Sequence, residues 1–318
     1  MYKKTVLIMM FLGLMVSVAR AADVDAVSRA LDVYTSDYYA SPAVPVPSQA
    51  SVAPAAPAPV AAAAGPKRHE FGVGTEHYLY KYAERLDDGS KFMSDKGNFN
   101  GVFASYTFRP FDVDSMYNEL AHMLLRTEVR YASGRVRYVG SNEFSGIKDY
   151  SYELRGLIGK DYQVAPLLKM TPYSGLGWRY LNDGLDANQP GGYGRESKYF
   201  YAPLGVNIER SLPGRWLVGF NAEYDWLING LQRSHLEDVD PGYETLNNKQ
   251  RHGFGWRASL KVVKELPRMS LSFEPYYRFW HIDASDVQPI VWDGLVVGGG
   301  QEPDNTTSEV GLRLGAQF

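Results

Sequence analysis

From Ser308 to the C-terminus every second residue is apolar or small: Val310, Leu312, Leu314, Ala316 and Phe318 alternate with Glu309, Gly311, Arg313 and Gln317. A period of two marks a β-strand with one oily and one polar face. Nine further stretches repeat it: Glu70–Tyr82, Phe99–Phe108, Met123–Tyr138, Tyr150–Gly159, Met170–Asn182, Tyr199–Glu209, Trp216–Ile228, Gly253–Val263 and Ser270–Ile282. The clearest sets Trp216, Val218, Phe220, Ala222, Tyr224, Trp226 and Ile228 against Gly219, Asn221, Glu223 and Asp225. Its oily face is aromatic at both ends and aliphatic between, the order of two interfacial girdles around a lipid-facing band. In the first stretch, Phe71 and Val73 have one parity and Tyr78, Tyr80 and Tyr82 the other, which leaves its facing open; a bulge near Gly74 would reconcile the two.

Connections alternate in length. Glu84–Gly97, Val139–Asp149, Asp183–Lys198, Gly230–His252 and Asp283–Asp304 are mostly long, whereas Lys160–Lys169, Ser211–Arg215 and Lys264–Met269 are short. Long loops at one end and short turns at the other fit an antiparallel up-and-down transmembrane β-barrel of about ten strands, with eight and twelve as the alternatives. Pro110–Ala121 is an oversized turn at the short-turn end. The expected fold class is therefore all-β, with the barrel over residues 68–318.

The N-terminal quarter follows other patterns. Lys3 and Lys4, the apolar run Thr5–Val18 and the small-x-small site Ala19-Arg20-Ala21 read as a signal peptide over residues 1–21. In residues 22–40, Val24, Val27, Leu31, Tyr34 and Tyr38 would share one face of a short helix. Residues 41–67 are rich in Pro and Ala, a stiff linker that reaches roughly 80 Å at about 3.1 Å per residue.

Composition narrows the reading. With no cysteine, the chain has neither disulfides nor a lipid-acceptor thiol. A net charge of −3 and a pI near 6.1 give no basic footprint, so no nucleic acid partner is expected. The aromatic content of 14%, including 23 Tyr, suits membrane interfaces.

The signal peptide, the alternating strands and the terminal Val310-Gly311-Leu312-Arg313-Leu314-Gly315-Ala316-Gln317-Phe318 resemble the outer-membrane β-barrel superfamily of Gram-negative bacteria. That resemblance implies location in the bacterial outer membrane among lipids and lipopolysaccharide. It also implies a C-terminal aromatic, here Phe318, read by the barrel-assembly machinery. Residues 22–67 would be free to contact peptidoglycan or a periplasmic protein.

The polar faces place Arg126, Arg130, Arg155, Arg179, Arg257, Lys261, Arg278 and Arg313 in the lumen with Glu128, Glu153, Glu209, Glu223, Asp225, Glu274 and Glu309. These charges nearly cancel, and in a narrow interior they are expected to pair, because an unpaired buried charge is prohibitive. Ten strands enclose a lumen that side chains largely fill. The expected role is structural or surface-interacting, with a narrow porin-like channel as the first alternative and an outer-membrane hydrolase as the second.

The resemblance extends to barrels that are enzymes: ten-stranded outer-membrane proteases use Asp and His across the mouth, and lipid-A-modifying barrels use His, Ser and a carboxylate. Here His77, His235, His252 and His281 fall near the loop end, with Asp225, Asp283 and Asp286 as candidate partners. His281 with Asp283 is the best pair, but its parity turns it toward lipid, where a solvated interfacial histidine is the simpler reading. No enzyme activity, cofactor or resident metal is expected. In the acidic loop 283–304, Ile290–Val297 reads as a hairpin turning at Asp293-Gly294, with Trp292 and Asp293 as candidate surface contacts. Its carboxylates are expected to be solvated, with cation bridging to lipopolysaccharide as the lesser alternative. Gly298-Gly299-Gly300 lacks the strand–loop–helix setting of a phosphate loop.

Overall fold

The computed structural model describes residues 67–86, 88–110, 120–185 and 191–318. The expected signal peptide, the segment 22–40 and the linker, apart from Lys67, lie outside the described residues, as does most of the Pro110–Ala121 turn.

The strands in chain order are β1 (His69–Arg85), β2 (Lys91–Phe108), β3 (Met123–Val139), β4 (Glu143–Lys160), β5 (Tyr162–Ala165), β6 (Leu168–Asp183) and β7 (Arg195–Leu212). They continue as β8 (Trp216–Ser234), β9 (Leu246–Gln250), β10 (Gly253–Glu265), β11 (Ser270–Ile282), β12 (Gln288–Trp292), β13 (Leu295–Gly300) and β14 (Asp304–Gln317). Ten of them close an antiparallel ring in the order β1-β2-β3-β4-β6-β7-β8-β10-β11-β14. The ring closes between β1 and β14, in register from Gly72 opposite Gln317 to Arg85 opposite Asp304. Phe318 extends this seam by donating its N–H to Phe71 O at 2.9 Å. Closure leaves the ring no free edge, so each of its ten strands pairs on both sides without water, as a bilayer core requires.

The outer wall carries the aliphatic and aromatic residues that the alternation placed there. Leu79, Val102, Val129, Leu154, Leu176, Leu204, Phe220, Leu260, Phe273 and Val310 are all exposed, forming a continuous apolar belt far larger than water tolerates. Toward the loop end an aromatic row runs across β3, β4 and β6. Tyr131 lies 5.2 Å from Tyr152, Tyr152 lies 5.7 Å from Tyr180, and Trp178 lies 6.0 Å from Tyr180. Trp256 continues the girdle 4.7 Å from Tyr277. Phe71, Trp216 and Phe318 are exposed at the turn end.

In the first strand no bulge occurs near Gly74, since pairing with β2 is unbroken from His69 to Glu84 and shifts only at Glu84/Arg85. Tyr78, Tyr80 and Tyr82 point inward and are buried, while Phe71, Val73 and Leu79 face out. The parity change is thus one of composition: near the loop end the lumen is lined by aromatic residues, so an aromatic alternation there marks the interior.

The loops of β1–β2 and β3–β4 are also shorter than expected. β2 begins at Lys91 and the β3–β4 hairpin turns between Val139 and Glu143, so much of each expected loop is a strand rising beyond the belt. Where both faces are polar the alternation disappears although the ladder continues, which hides these extensions from a periodicity test. The Lys160–Lys169 connection likewise contains β5, paired with β6.

Candidate functional site

Glycines on the inner face let large side chains cross the lumen. A Cβ on Gly177 would lie 2.1 Å from Tyr201 Cζ, and one on Gly205 would lie 2.4 Å from Tyr173 Cζ. Tyr201 and Tyr173 therefore lie across neighbouring strands and carry their hydroxyls to the charged groups at the centre, where Tyr201 donates to Glu153 at 2.7 Å and Tyr173 to Glu223 at 2.6 Å.

The central layer is a continuous ionic plug. The Glu76 side chain is 0% exposed and meets Arg130 at 3.3 Å, Arg278 at 3.3 Å and Arg313 at 3.0 Å. Glu309 meets Arg130 at 3.0 Å, Arg179 at 2.9 Å and Arg278 at 2.8 Å. Arg257 contacts Glu153 at 2.6 Å, Glu223 at 3.0 Å and Asp225 at 2.8 Å, while Arg155 joins Glu223 to Glu128. Arg126 is 2.7 Å from Glu128. Buried charges persist only with several partners each, and these carboxylates each have at least one guanidinium.

The sequence-derived charges are thus drawn together except at the turn end. There Glu209 pairs with Lys169 at 2.7 Å, Glu274 accepts from Ser259 at 2.7 Å, and Lys261 lines the wall. Glu76 was missed because it lies on the strand of uncertain facing, although its parity is that of Tyr78 and Tyr80. Lys169 and Asp161, which accepts from Thr171 at 2.6 Å, were missed because they sit in or beside a connection expected to be loop.

Below the plug a vestibule of about 750 Å³ is lined by Glu70, Arg126, Lys169, Glu209, Lys261 and Arg313 among others. Above it the lumen narrows. Tyr78, Tyr80, Phe99 and Tyr276 form one buried cluster, and Tyr199, Tyr201, Trp280 and Ile282 another. Beyond these rings a cavity of about 30 Å³ is lined by Asp95, Asp149, Asp183, Ser151 and Gln232. Asp149 and Asp183 are direct cross-strand neighbours.

The acidic loop is fastened over this mouth. Ser285 N–H donates to Glu302 O at 2.9 Å, Asn248 of β9 donates to Ser285 Oγ at 3.0 Å and to Gly300 O at 3.1 Å, and Arg195 clasps Glu84 and Glu302. One guanidinium thus serves two carboxylates. Burial, with Glu84 alongside and Arg195 opposing it, pushes the Glu302 carboxyl up to about 8.

Because that value lies above 4.5, the unperturbed one, the folded state holds the extra proton. Its contribution to stability is complete below about pH 4.5 and is lost as pH rises through 8. Unfolding of the refolded barrel followed between pH 5 and pH 9 should show wild type losing stability more steeply than Glu302→Gln. Equal slopes would mean that Glu302 is ionised throughout.

Among the described residues His122 lines the vestibule, and no histidine lines the outer cavity. His77 is on the outer wall and contacts Asn100 at 2.9 Å, and His235 sits on the rim near Glu237 at 3.0 Å. His252 is exposed, and Asp286 pairs with Arg251 at 3.3 Å. Asp225, a candidate histidine partner by sequence, is held in the plug by Arg257. His281 and Asp283 do meet, at 3.1 Å, on the outward side that parity indicated. The hairpin turns at Asp293 (φ 47°) and Gly294 (φ 76°), as the Asp-Gly pair requires. Trp292 packs over Gly242 and lies 3.4 Å from Asp240, whereas Leu295, Val296 and Val297 are the more exposed residues.

A closed ten-strand ring with an apolar outer belt and a polar lumen is an architecture shared with solved proteins. The outer membrane protease OmpT from Escherichia coli superposes with a TM-score of 0.55 at 11% identity, covering 79% of this chain and 95% of that one. The chain has the outer-membrane β-barrel fold. This barrel also aligns with the toluene transporter TbuX of Ralstonia pickettii (TM-score 0.33, 10% identity, 79% and 89% covered). Neisserial surface protein A aligns with a TM-score of 0.27 at 12% identity, covering 78% of this barrel chain and 96% of its own. No family profile and no curated protein matches the sequence. In outer-membrane barrels long loops lie at the outer face and short turns at the periplasmic one, and here the vestibule opens at the turn end.

Proposed function

We propose that this protein is a closed outer-membrane barrel with a structural or surface-interaction role, exported by its N-terminal signal peptide. The observation that carries this reading is the central plug, in which Glu76 and Asp225 have side chains 0% exposed and Arg179 one 2% exposed. A solute would have to part several ion pairs to pass, and each parted buried pair costs about 3–5 kcal/mol. The aromatic rings and the fastened acidic loop close the outer half a second time. The apolar tip Leu295–Val297 then supplies the outer surface with an exposed contact patch.

Planar-bilayer recording of the refolded barrel tests the reading. The expected result is no stable conductance step in 1 M salt. Reproducible unitary steps would replace this reading with that of a narrow channel, for which the vestibule would be the entry. The hydrolase reading would need a histidine beside the carboxylates Asp95, Asp149 and Asp183 at the mouth, and none of the described residues lining that cavity is one.

A further inference from the structure

At the outer rim, on the lipid-facing side of the wall, three side chains converge that take no part in the plug. His281 is the penultimate residue of β11, Asp283 follows that strand, and Asp304 opens β14. His281 Nε2 lies 3.1 Å from Asp283 Oδ1 and 3.4 Å from Asp304 Oδ2, and all three ligand atoms lie within 4.8 Å of one another. We propose that His281, Asp283 and Asp304 form a binding site for a divalent transition metal of the zinc class, clamping together the two feet of the acidic outer loop.

Geometry argues for this first. Zinc bonds to imidazole nitrogen and carboxylate oxygen are about 2.0–2.2 Å, so neighbouring ligands of a tetrahedral ion are about 3.4 Å apart. The two measured separations from His281 Nε2, 3.1 and 3.4 Å, are close to edges of such a tetrahedron. A rotation of one exposed carboxylate brings in the third edge. Asp283 and Asp304 have side chains 51% and 36% exposed, so an ion can enter and a water can hold the fourth position.

The donor set argues next. An imidazole nitrogen with two carboxylates suits zinc and its first-row neighbours, whereas calcium and magnesium take all-oxygen shells. Backbone placement is already rigid: His281 is paired with Thr306 in β14 and with Phe254 in β10. Its ring lies 5.5 Å from that of Phe254, which limits its rotation. The clamp would join the residues at which loop 283–303 leaves and re-enters the barrel, so the ion would hold the loop over the mouth by its base.

Isothermal titration of tag-free, chelator-treated, refolded protein in detergent with zinc chloride tests the proposal. Wild type should take up one saturable equivalent at this site. His281→Ala and Asp304→Asn should each weaken that binding by at least ~10-fold, the loss that even residues supporting a metal ligand cause, while His77→Ala leaves it unchanged. Cobalt(II) gives a second readout on wild type alone, an absorption band of tetrahedral coordination that zinc displaces. Zinc binding indifferent to both variants, absence of the cobalt band, or calcium binding these residues as tightly as zinc would each overturn the proposal.

Discussion

Glu76→Ala is expected to destabilise the folded barrel by roughly 3–5 kcal/mol, because it strips a buried network of an anion shared by three guanidiniums and leaves one of them, Arg313, without a carboxylate. Arg130, Arg278 and Arg313 all converge on Glu76, at 3.3, 3.3 and 3.0 Å. Glu309 would remain to hold Arg130 and Arg278, but Arg313 has no other carboxylate within 4.0 Å among the described residues. Urea unfolding in lipid vesicles, followed by tryptophan fluorescence, measures the loss. The informative control is Arg137→Ala. Arg137 and Glu143 lie 2.5 Å apart, closer than any of the Glu76 contacts, yet their side chains are 60% and 53% exposed. Water screens that pair, so its removal should change stability by less than ~1 kcal/mol. If both substitutions have similar small effects, the plug does not hold the barrel together.

Gly177→Val should have an effect of similar size, for a steric reason. A Cβ at Gly177 would fall 2.1 Å from Tyr201 Cζ and 2.5 Å from its hydroxyl oxygen. Tyr201 is 0% exposed, lies edge-on to Trp280 at 5.0 Å and supports Glu153 through its hydroxyl at 2.7 Å. A valine would force the ring aside, combining an overpacking strain of about 1–3 kcal/mol with loss of a hydrogen bond to a charged group, about 1.5–3 kcal/mol. Gly156→Val is the matched control, since nothing lies within 4 Å of a Cβ there and β-branched residues suit strands. The same unfolding assay distinguishes them, and equal stability of the two variants would mean that Tyr201 can move without loss.

The lumen charges show how much of the site can be read from local pattern. Arg130, Glu153, Arg257 and Glu309 were legible because each alternates with oily neighbours over a full membrane crossing, so parity alone turns them inward. Glu76 was not, because its neighbours Tyr78 and Tyr80 look like girdle residues when only hydrophobicity is scored. Arg195, Glu84 and Glu302 escaped for a different reason. They lie above the membrane, where lipid no longer imposes contrast between faces, and they meet only because β7, β1 and the acidic loop converge at the mouth. His281 and Asp283 are two residues apart, so their meeting was readable, but Asp304 joins them only through the pairing of β11 with β14.

The sequence by itself determined that this chain forms an all-β barrel of about ten strands with its oily face outward, because a period of two is a local property that a bilayer requires of every crossing strand. It also determined the hairpin at Asp293-Gly294, because few residue pairs tolerate left-handed backbone in succession. Tertiary structure alone decided which charges pair across the lumen, that the lumen is filled at its centre and open toward the turn end, and how the outer loop is fastened. Those contacts join residues as far apart as Glu76 and Arg313. They depend on ring closure and strand stagger, which set the position of each inward residue around the barrel and leave no trace in the order of residues along any one strand.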